Sequence, residues 1–334
     1  MSVNSKYGKN RPMWIITGGA GFIGSALVWE LNRQGIDDIL VIDRLGSSEK
    51  WKNLSHHRFA DYLEADDFLD LLTQDKLANV KGIVHLGACS STTETDASFL
   101  IRNNYEYTKT LALWAAKKHK RFVYASSAAT YGDGQYGYST ALDTTRRLQP
   151  LNMYGYSKHL FDLWALRKGL LKRFVGVKFF NVYGPNEYHK EDMRSVVAKA
   201  YEQIKADGKV RLFKSYRSEY KDGEQQRDFL YVKDAVHVLY QFLTKPSYKG
   251  LYNLGSGQAR TWKDLVSALF SAMSKSPRIE YIDMPPALRA RYQYHTEADM
   301  RWRESDKKAT PFRRLEDGVR DYVQNYLAQE DPYL

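Results

Sequence analysis

Trp14-Ile15-Ile16-Thr17-Gly18-Gly19-Ala20-Gly21-Phe22-Ile23-Gly24 is a short apolar run that stops at a cluster of glycines. Such a run reads as a buried strand, and the stretch after it has helical spacing through Gln34 and closes at Gly35. Ile39-Leu40-Val41-Ile42-Asp43 then reads as a second strand, so the segment is a strand–helix–strand unit. The glycines satisfy both G-x-G-x-x-G (Gly19, Gly21, Gly24) and G-x-x-G-x-x-G (Gly18, Gly21, Gly24). Without side chains the backbone can approach a pyrophosphate at a helix N-terminus, where unpaired N–H groups and the dipole favour anions. The string alone is weak. The strand before it, the helix after it and Asp43 about twenty residues beyond Gly24 complete the dinucleotide fingerprint.

The alternation continues down the chain. Ile83–Ala88, Phe122–Ala125 and Val175–Phe180 read as further strands with helical segments between them, which predicts an α/β fold with a doubly wound parallel sheet of the Rossmann type. Ligands bind such sheets beyond the carboxyl ends of the strands, here Thr17, Asp43, 87–91, 126–130 and 181–184. After about residue 183 the pattern loosens into short strands at Arg211–Phe213, Phe229–Val232 and Ile279–Ile282, with a polar insert at 215–226 and a final amphipathic helix over Phe312–Leu327. The expected organisation is a flexible extension over 1–12 and a dinucleotide-binding unit over 13–183, with segments returning near 227–257. A smaller α/β substrate-binding lobe is expected mainly over 184–330.

The chain has 334 residues, 43% hydrophobic and 27% charged, an ordinary globular composition. No stretch approaches the ~20 apolar residues of a membrane span and no apolar leader core precedes Trp14, so a soluble cytoplasmic protein is expected. The single cysteine, Cys89, excludes an internal disulfide and a multi-cysteine metal site, and no metal is expected. The net charge of +11 is spread among acidic residues without a nucleic-acid-binding motif, so neither nucleic acid nor membrane is an expected partner. A cleft lined with cations would instead concentrate a small phosphorylated ligand.

Tyr154 and Lys158 stand at i and i+4, which on a helix puts the ammonium near the phenol. A phenol ionises near pH ~10 unaided, and a fixed positive charge beside it favours the phenolate, making Tyr154 a candidate acid/base for a sugar carbinol. The spacing recurs at Tyr105/Lys109 and Tyr201/Lys205, but only Tyr154 follows both the glycine turn and the Ser126-Ser127 pair. Asp43 alone points to NAD through the ribose hydroxyls, whereas Arg44 and Lys50 could hold a 2′-phosphate. NADP is the expected cofactor, with NAD as the alternative.

The glycine turn, Ser126-Ser127 and Tyr154/Lys158 together resemble the extended short-chain dehydrogenase/reductase family of nucleotide-sugar epimerases, dehydratases and reductases. Gly87–Glu94, Tyr124–Gly132, Leu151–Lys158, Phe180–Pro185 and Arg291-Tyr292-Gln293 are similar to the ADP-heptose 6-epimerase group of that family, over roughly residues 13 to 327. The resemblance implies inversion at C6″ of an ADP-linked heptose by transient oxidation and re-reduction with tightly bound cofactor, supplying lipopolysaccharide inner-core precursors. It implies self-association into pentamer-based rings as well. Besides Tyr154 and Lys158, it implies Lys190 as a second acid/base group and Ser127 as the group that polarises the reacting oxygen. Around the cofactor it implies Gly18, Gly21, Phe22, Ile23, Gly24, Leu86, Gly87, Ala88, Cys89, Ser90, Asn103, Lys158, Val182 and Lys190. Around the substrate it implies Asn181, Asp192, Lys199, Phe213, Lys214, Ser215, Tyr216, Arg227 and Tyr292. Asp192 and Lys199 depart from the serine and histidine usual at those positions, and the 215–226 loop is longer and more charged, which leaves another nucleotide-sugar epimerase or reductase open. Ala128-Ala129 stands where related dehydratases carry an Asp-Glu pair, so dehydration is disfavoured. A catalytically silent dinucleotide-binding regulator is the alternative from a different class.

Overall fold

The computed structural model describes residues 12–289, 292–304 and 309–334. Its strands in chain order are β1 (Met13–Thr17), β2 (Ile39–Asp43), β3 (Asp61–Glu64), β4 (Val80–His85), β5 (Arg121–Ser127), β6 (Val175–Phe179), β7 (Asn181–Tyr183), β8 (Val210–Phe213), β9 (Gln226–Tyr231), β10 (Gly250–Leu254), β11 (Ala259–Thr261) and β12 (Ile279–Ile282). All five residues of β1, of β2 and of β6 are buried, the mark of strands covered on both faces. Successive side chains of β1 serve opposite faces: Trp14 and Ile16 join one core and Ile15 the other. The first core receives Ala26, Leu27 and Leu31 from the helix Phe22–Arg33 and Val236 and Leu239 from the helix Val232–Thr244. The second receives Phe68, Leu111 and Phe161 from the helices Ala65–Thr73, Tyr107–Lys117 and Met153–Arg167.

Seven strands form one sheet in the order β3-β2-β1-β4-β5-β6-β10, every neighbouring pair parallel. The order reverses between β1 and β4, and a crevice opens there at the carboxyl edge. Two small sheets stand apart, β11-β9-β7 and β12-β8. The doubly wound α/β architecture expected from the sequence is therefore present. Among the described residues no helix is long and apolar enough to cross a membrane.

Local readings differ in instructive places. The run Ile83–Ala88 does not stay a strand to its end. β4 stops at His85, whose ring is held between Thr17 Oγ1 at 2.6 Å and Thr108 Oγ1 at 2.8 Å, and Leu86–Ala88 turn into the crevice. Val232 begins a helix rather than ending a strand. The last helix starts at Leu315, not Phe312, because Asp234 accepts from the Arg313 backbone N–H at 2.8 Å and from its guanidinium, which keeps 312–314 out of the helix. It runs to Tyr322 and widens over Val323–Leu327. Of the expected N-terminal extension only Pro12 is described, and Arg291 also lies outside the described residues.

Beneath the carboxyl end of β5 sits an ion pair with no solvent exposure at either partner, Lys178 Nζ to Asp162 Oδ2 at 2.6 Å. Further hydrogen bonds support both charges. Asp162 also accepts from Tyr124 at 2.9 Å and Ser126 at 2.7 Å, and Lys178 donates to Thr130 Oγ1 at 2.7 Å. Breaking such a pair on one side strands a charge in the core. Lys178→Met should lose ~3–5 kcal/mol in denaturant unfolding, and a loss under about 1 kcal/mol would show that the charges are not sealed from water.

Candidate active site

The site begins with a close approach that only glycine permits. After β1 the chain turns at Gly18, φ +69°, where a Cβ would lie 2.5 Å from the Gly87 nitrogen in the loop after β4. A Cβ on Gly24, inside the first turn of the following helix, would lie 1.9 Å from the Gly18 carbonyl oxygen. Gly21 is the N-cap of that helix and makes no side-chain cap, so the first N–H groups face the crevice as an anion cradle. These glycines, Phe22 and Ile23 line a cleft of about 1150 Å³ together with Leu86–Ser90.

Asp43, at the end of β2, is turned inward. Its Oδ2 accepts from the Ala20 N–H at 2.8 Å, and its Oδ1 accepts from the Arg44 N–H at 2.7 Å and from Lys50 Nζ at 2.5 Å. About three of a carboxylate's four acceptor positions are thus filled by the protein. Arg44 reaches outward, donating to Asp66 at 2.6 Å and Asn103 at 3.1 Å, and Asp66 holds its guanidinium more firmly protonated than usual. The glycine cradle, Asp43 with its paired lysine, and the Arg44 fork fit a dinucleotide.

The wall after β5 carries Tyr154, the predicted acid/base residue. Asn152 caps the helix Met153–Arg167, its Oδ1 accepting from the Gly155 N–H at 2.8 Å, which brings Tyr154 and Lys158 to the cleft in the first turns. Ser127 stands beside the Tyr154 phenol, where its hydroxyl favours the ionised form, and its Oγ accepts from the Ala129 N–H at 3.1 Å. Lys158 donates to the Ala125 carbonyl at 3.0 Å. Burial lowers its pKa to about 8, offset in part by Asp162 one turn further on. Here the sequence reading needs correction. Burial of the hydroxyl end pushes the Tyr154 phenol up, and the partner that opposes this is Ser127 rather than the lysine. The two look-alike pairs belong elsewhere: the Lys109 ammonium lies over the face of the Tyr105 ring at 4.6 Å and pairs with Glu106, and Tyr201/Lys205 lie on the helix Val196–Asp207, outside the cleft.

Lys190 enters from a different wall, on the 3₁₀ turn Tyr188–Met193, with its ammonium 5.4 Å from the centre of the Phe22 ring. Burial lowers its pKa and Glu187 raises it. His189, beside Lys190 in the chain, also lines the cleft. Its Nδ1 meets Asn53 Nδ2 at 3.1 Å, and burial lowers its pKa to about 4.

All four sequence-predicted catalytic residues and every predicted cofactor residue line this one cleft. Of the predicted substrate residues, only Asn181 does. Asp192 and Lys199 contact each other, Lys199 Nζ donating to the Asp192 carbonyl at 3.1 Å. Phe213 ends β8 and Lys214 to Tyr216 follow it, tied by Gln225 to the Phe213 and Lys214 carbonyls, by Asp222 to the Ser215 N–H, and by Asp283 to Lys214 and Tyr216. The Arg227 guanidinium is buried between Trp262 at 5.7 Å and Tyr292 at 5.1 Å, and burial lowers its pKa, so an anion there would restore its lost solvation. Sequence reasoning missed Asn104, which grips Cys89 through both backbone groups at 2.9 Å and fixes the loop after β4. It missed Asp162 and Lys178 as well. A lone lysine inside the apolar run Val175–Phe180 was the available signal.

Residues 14–255 match the NAD dependent epimerase/dehydratase family. The chain is 55% identical over 323 residues to the ADP-L-glycero-D-manno-heptose-6-epimerase of Nitratidesulfovibrio vulgaris, covering 96% of this chain and 100% of that one. It is 48% identical to the protein of the same name from Fusobacterium nucleatum, again covering 96% and 100%. Among solved structures it is similar to the Helicobacter pylori ADP-L-glycero-D-manno-heptose-6-epimerase, with a TM-score of 0.78 at 29% identity over 97% of this chain and 98% of that one. With the glycine cradle, the Ser127–Tyr154–Lys158 wall and the reversed strand order already in place, these matches settle the lineage: the chain belongs to the NAD dependent epimerase/dehydratase family.

Proposed function

We propose that this protein converts ADP-D-glycero-D-manno-heptose to its L-glycero epimer at C6″, for the lipopolysaccharide inner core, holding NADP throughout. The observation that carries the reading is that Tyr154 and Lys190 reach one cleft from different walls. Epimerisation needs a hydroxyl proton removed on one face and returned on the other, and two acid/base groups meet that need where one fixed group does not. The glycine cradle with Asp43, Arg44 and Lys50 would hold the dinucleotide, whose nicotinamide would take a hydride from C6″ and return it. Ser127 positions the reacting oxygen beside Tyr154 and donates to the developing carbonyl. Lys158, anchored on Ala125, contributes charge below about pH 8. Burial lowers the Lys190 pKa, which eases loss of its proton to a reacting oxygen and its return.

Substrate placement is inferred from the second lobe. Arg227 suits the pyrophosphate, with Asn181 and Tyr292 near the sugar and nucleotide and the 213–216 segment against the base. Asp192 and Lys199 replace the serine and histidine usual at those positions, which keeps a different nucleotide sugar as the second reading. Leu113 and Tyr156, large apolar side chains left exposed, support self-association.

The preference for NADP rests on Asp43 and Arg44. With Asp43 filled by Ala20, Arg44 and Lys50, its charge is compensated where it would otherwise repel a 2′-phosphate. Arg44→Ala should weaken NADP about tenfold or more relative to NAD in equilibrium binding, and an unchanged ratio would place the phosphate elsewhere.

Purified protein incubated with the D-glycero epimer should yield the L-glycero epimer without added cofactor, and no product would sink the assignment. Trials with UDP- and GDP-sugars decide the second reading. Tyr154→Phe and Lys190→Met should each slow epimerisation by ~10²–10⁴-fold with dinucleotide still bound. Each should keep proton transfer on one face, seen as solvent deuterium exchange or a half-reaction. Equal loss of both half-reactions in each variant would contradict separate acid/base groups.

A further inference from the structure

Asn186 is wholly buried and holds a left-handed backbone at φ +74°. Its carboxamide joins two distant parts of the chain. Nδ2 donates to Ser25 Oγ at 2.9 Å, in the helix that begins at the glycine turn, and Oδ1 accepts from the Leu334 N–H at 3.0 Å. Ser25 Oγ in turn donates to the Phe22 carbonyl at 3.2 Å, and the Phe22 ring is the surface on which Lys190 rests. Two residues beyond Asn186, Tyr188 donates to the Pro332 carbonyl at 2.8 Å and meets the Tyr333 ring edge-on at 5.3 Å. Between them Glu187 accepts from Tyr322 at 3.0 Å and from Ser195 Oγ at 2.7 Å. Lys190 closes the turn, its N–H donating to the Glu187 carbonyl at 3.1 Å, and Glu191 at φ +47° leads the chain away.

Left-handed backbone is disfavoured for residues that carry a Cβ, and asparagine is among the few that tolerate it. If the turn alone mattered, glycine would serve better. The side chain is therefore the informative part, since each of its ends is bonded to a different element. We propose that Asn186 is a positioning residue: it clamps the 186–190 turn between the first helix and residues 331–334 and thereby sets Lys190 against Phe22. The proposal rests on the reading of Lys190 as an acid/base group. It makes the dinucleotide cradle and that second group parts of one rigid frame, joined through Ser25.

Asn186→Gly keeps the backbone angle and removes both side-chain bonds. In the full-length enzyme with the ADP-heptose substrate, kcat should fall about tenfold to a hundredfold, as for a reacting group displaced by roughly an ångström. KM and NADP affinity should stay within about twofold, since uniform binding is untouched. Ser25→Ala leaves the turn and its bond to Leu334 in place and should show the same split to a smaller degree, so the test stays readable if Asn186→Gly folds poorly. In a Lys190→Met background, Asn186→Gly should slow the enzyme no further. A loss that multiplies with Lys190→Met, or one that appears equally in KM and cofactor affinity, would overturn the positioning role. Full kcat in Lys190→Met itself would remove the catalytic reading of Lys190, an outcome distinct from full kcat in Asn186→Gly alone.

Discussion

The contact between Gly18 and Gly87 governs the rest of the site. Two loops leave adjacent parallel strands at the point where the sheet order reverses, and they touch backbone to backbone. A methyl group at Gly18 would overlap the Gly87 nitrogen. Because the loops close on each other, the helix after the first aims its N-terminus into the same crevice that the second lines. Thr17 and His85, paired at the ends of β1 and β4, brace the same junction through a buried hydroxyl–imidazole contact.

Around this junction the protein divides its work between rigid backbone and buried charge. The cradle for an anion is made of N–H groups, which need no counter-ion. The reacting side, by contrast, is built on titratable groups whose proton affinities are moved by burial. Lys158 and Lys190 both lose affinity for protons in the interior, and Asp162 and Glu187, respectively, return part of it. Each lysine thus stands beside one buried carboxylate that is itself saturated with hydrogen bonds. The Lys178–Asp162 pair extends the pattern below the cleft and fixes Ser126, and with it the adjacent Ser127.

Much of this was legible in the sequence, for physical reasons that vary by element. The first unit was readable because a buried parallel strand, a glycine turn and a helix are all local signals, and β2 falls at the expected Ile39–Asp43. Strand ends were less readable: nothing in Ile83–Ala88 says that His85 will be caught between two threonines and the rest diverted. The cleft residues that follow strand ends were recovered together because topology, not local preference, gathers them. Asp162, Lys178 and Asn186 escaped because their roles are set by partners 16, 48, 148 and 161 residues away, which no spacing rule reaches. The Tyr154 environment escaped for a subtler reason. Helical spacing placed Lys158 correctly, but the balance between its charge and burial of the phenol depends on where the ammonium is anchored, and that anchor is the Ala125 carbonyl.

The late arrival of β10 has a consequence for how the chain is made. β6 ends at Phe179, yet its outer neighbour is not complete until Leu254, and β7, β8 and β9 are threaded between them. During synthesis the sheet therefore waits with Val175–Phe179 as an open edge, and all five of those residues are buried in the finished fold. Such an edge is a template for pairing with another chain. The charge in its middle does not wait for β10: Asp162 lies sixteen residues earlier in the chain, so the partner of Lys178 is already made when this edge forms.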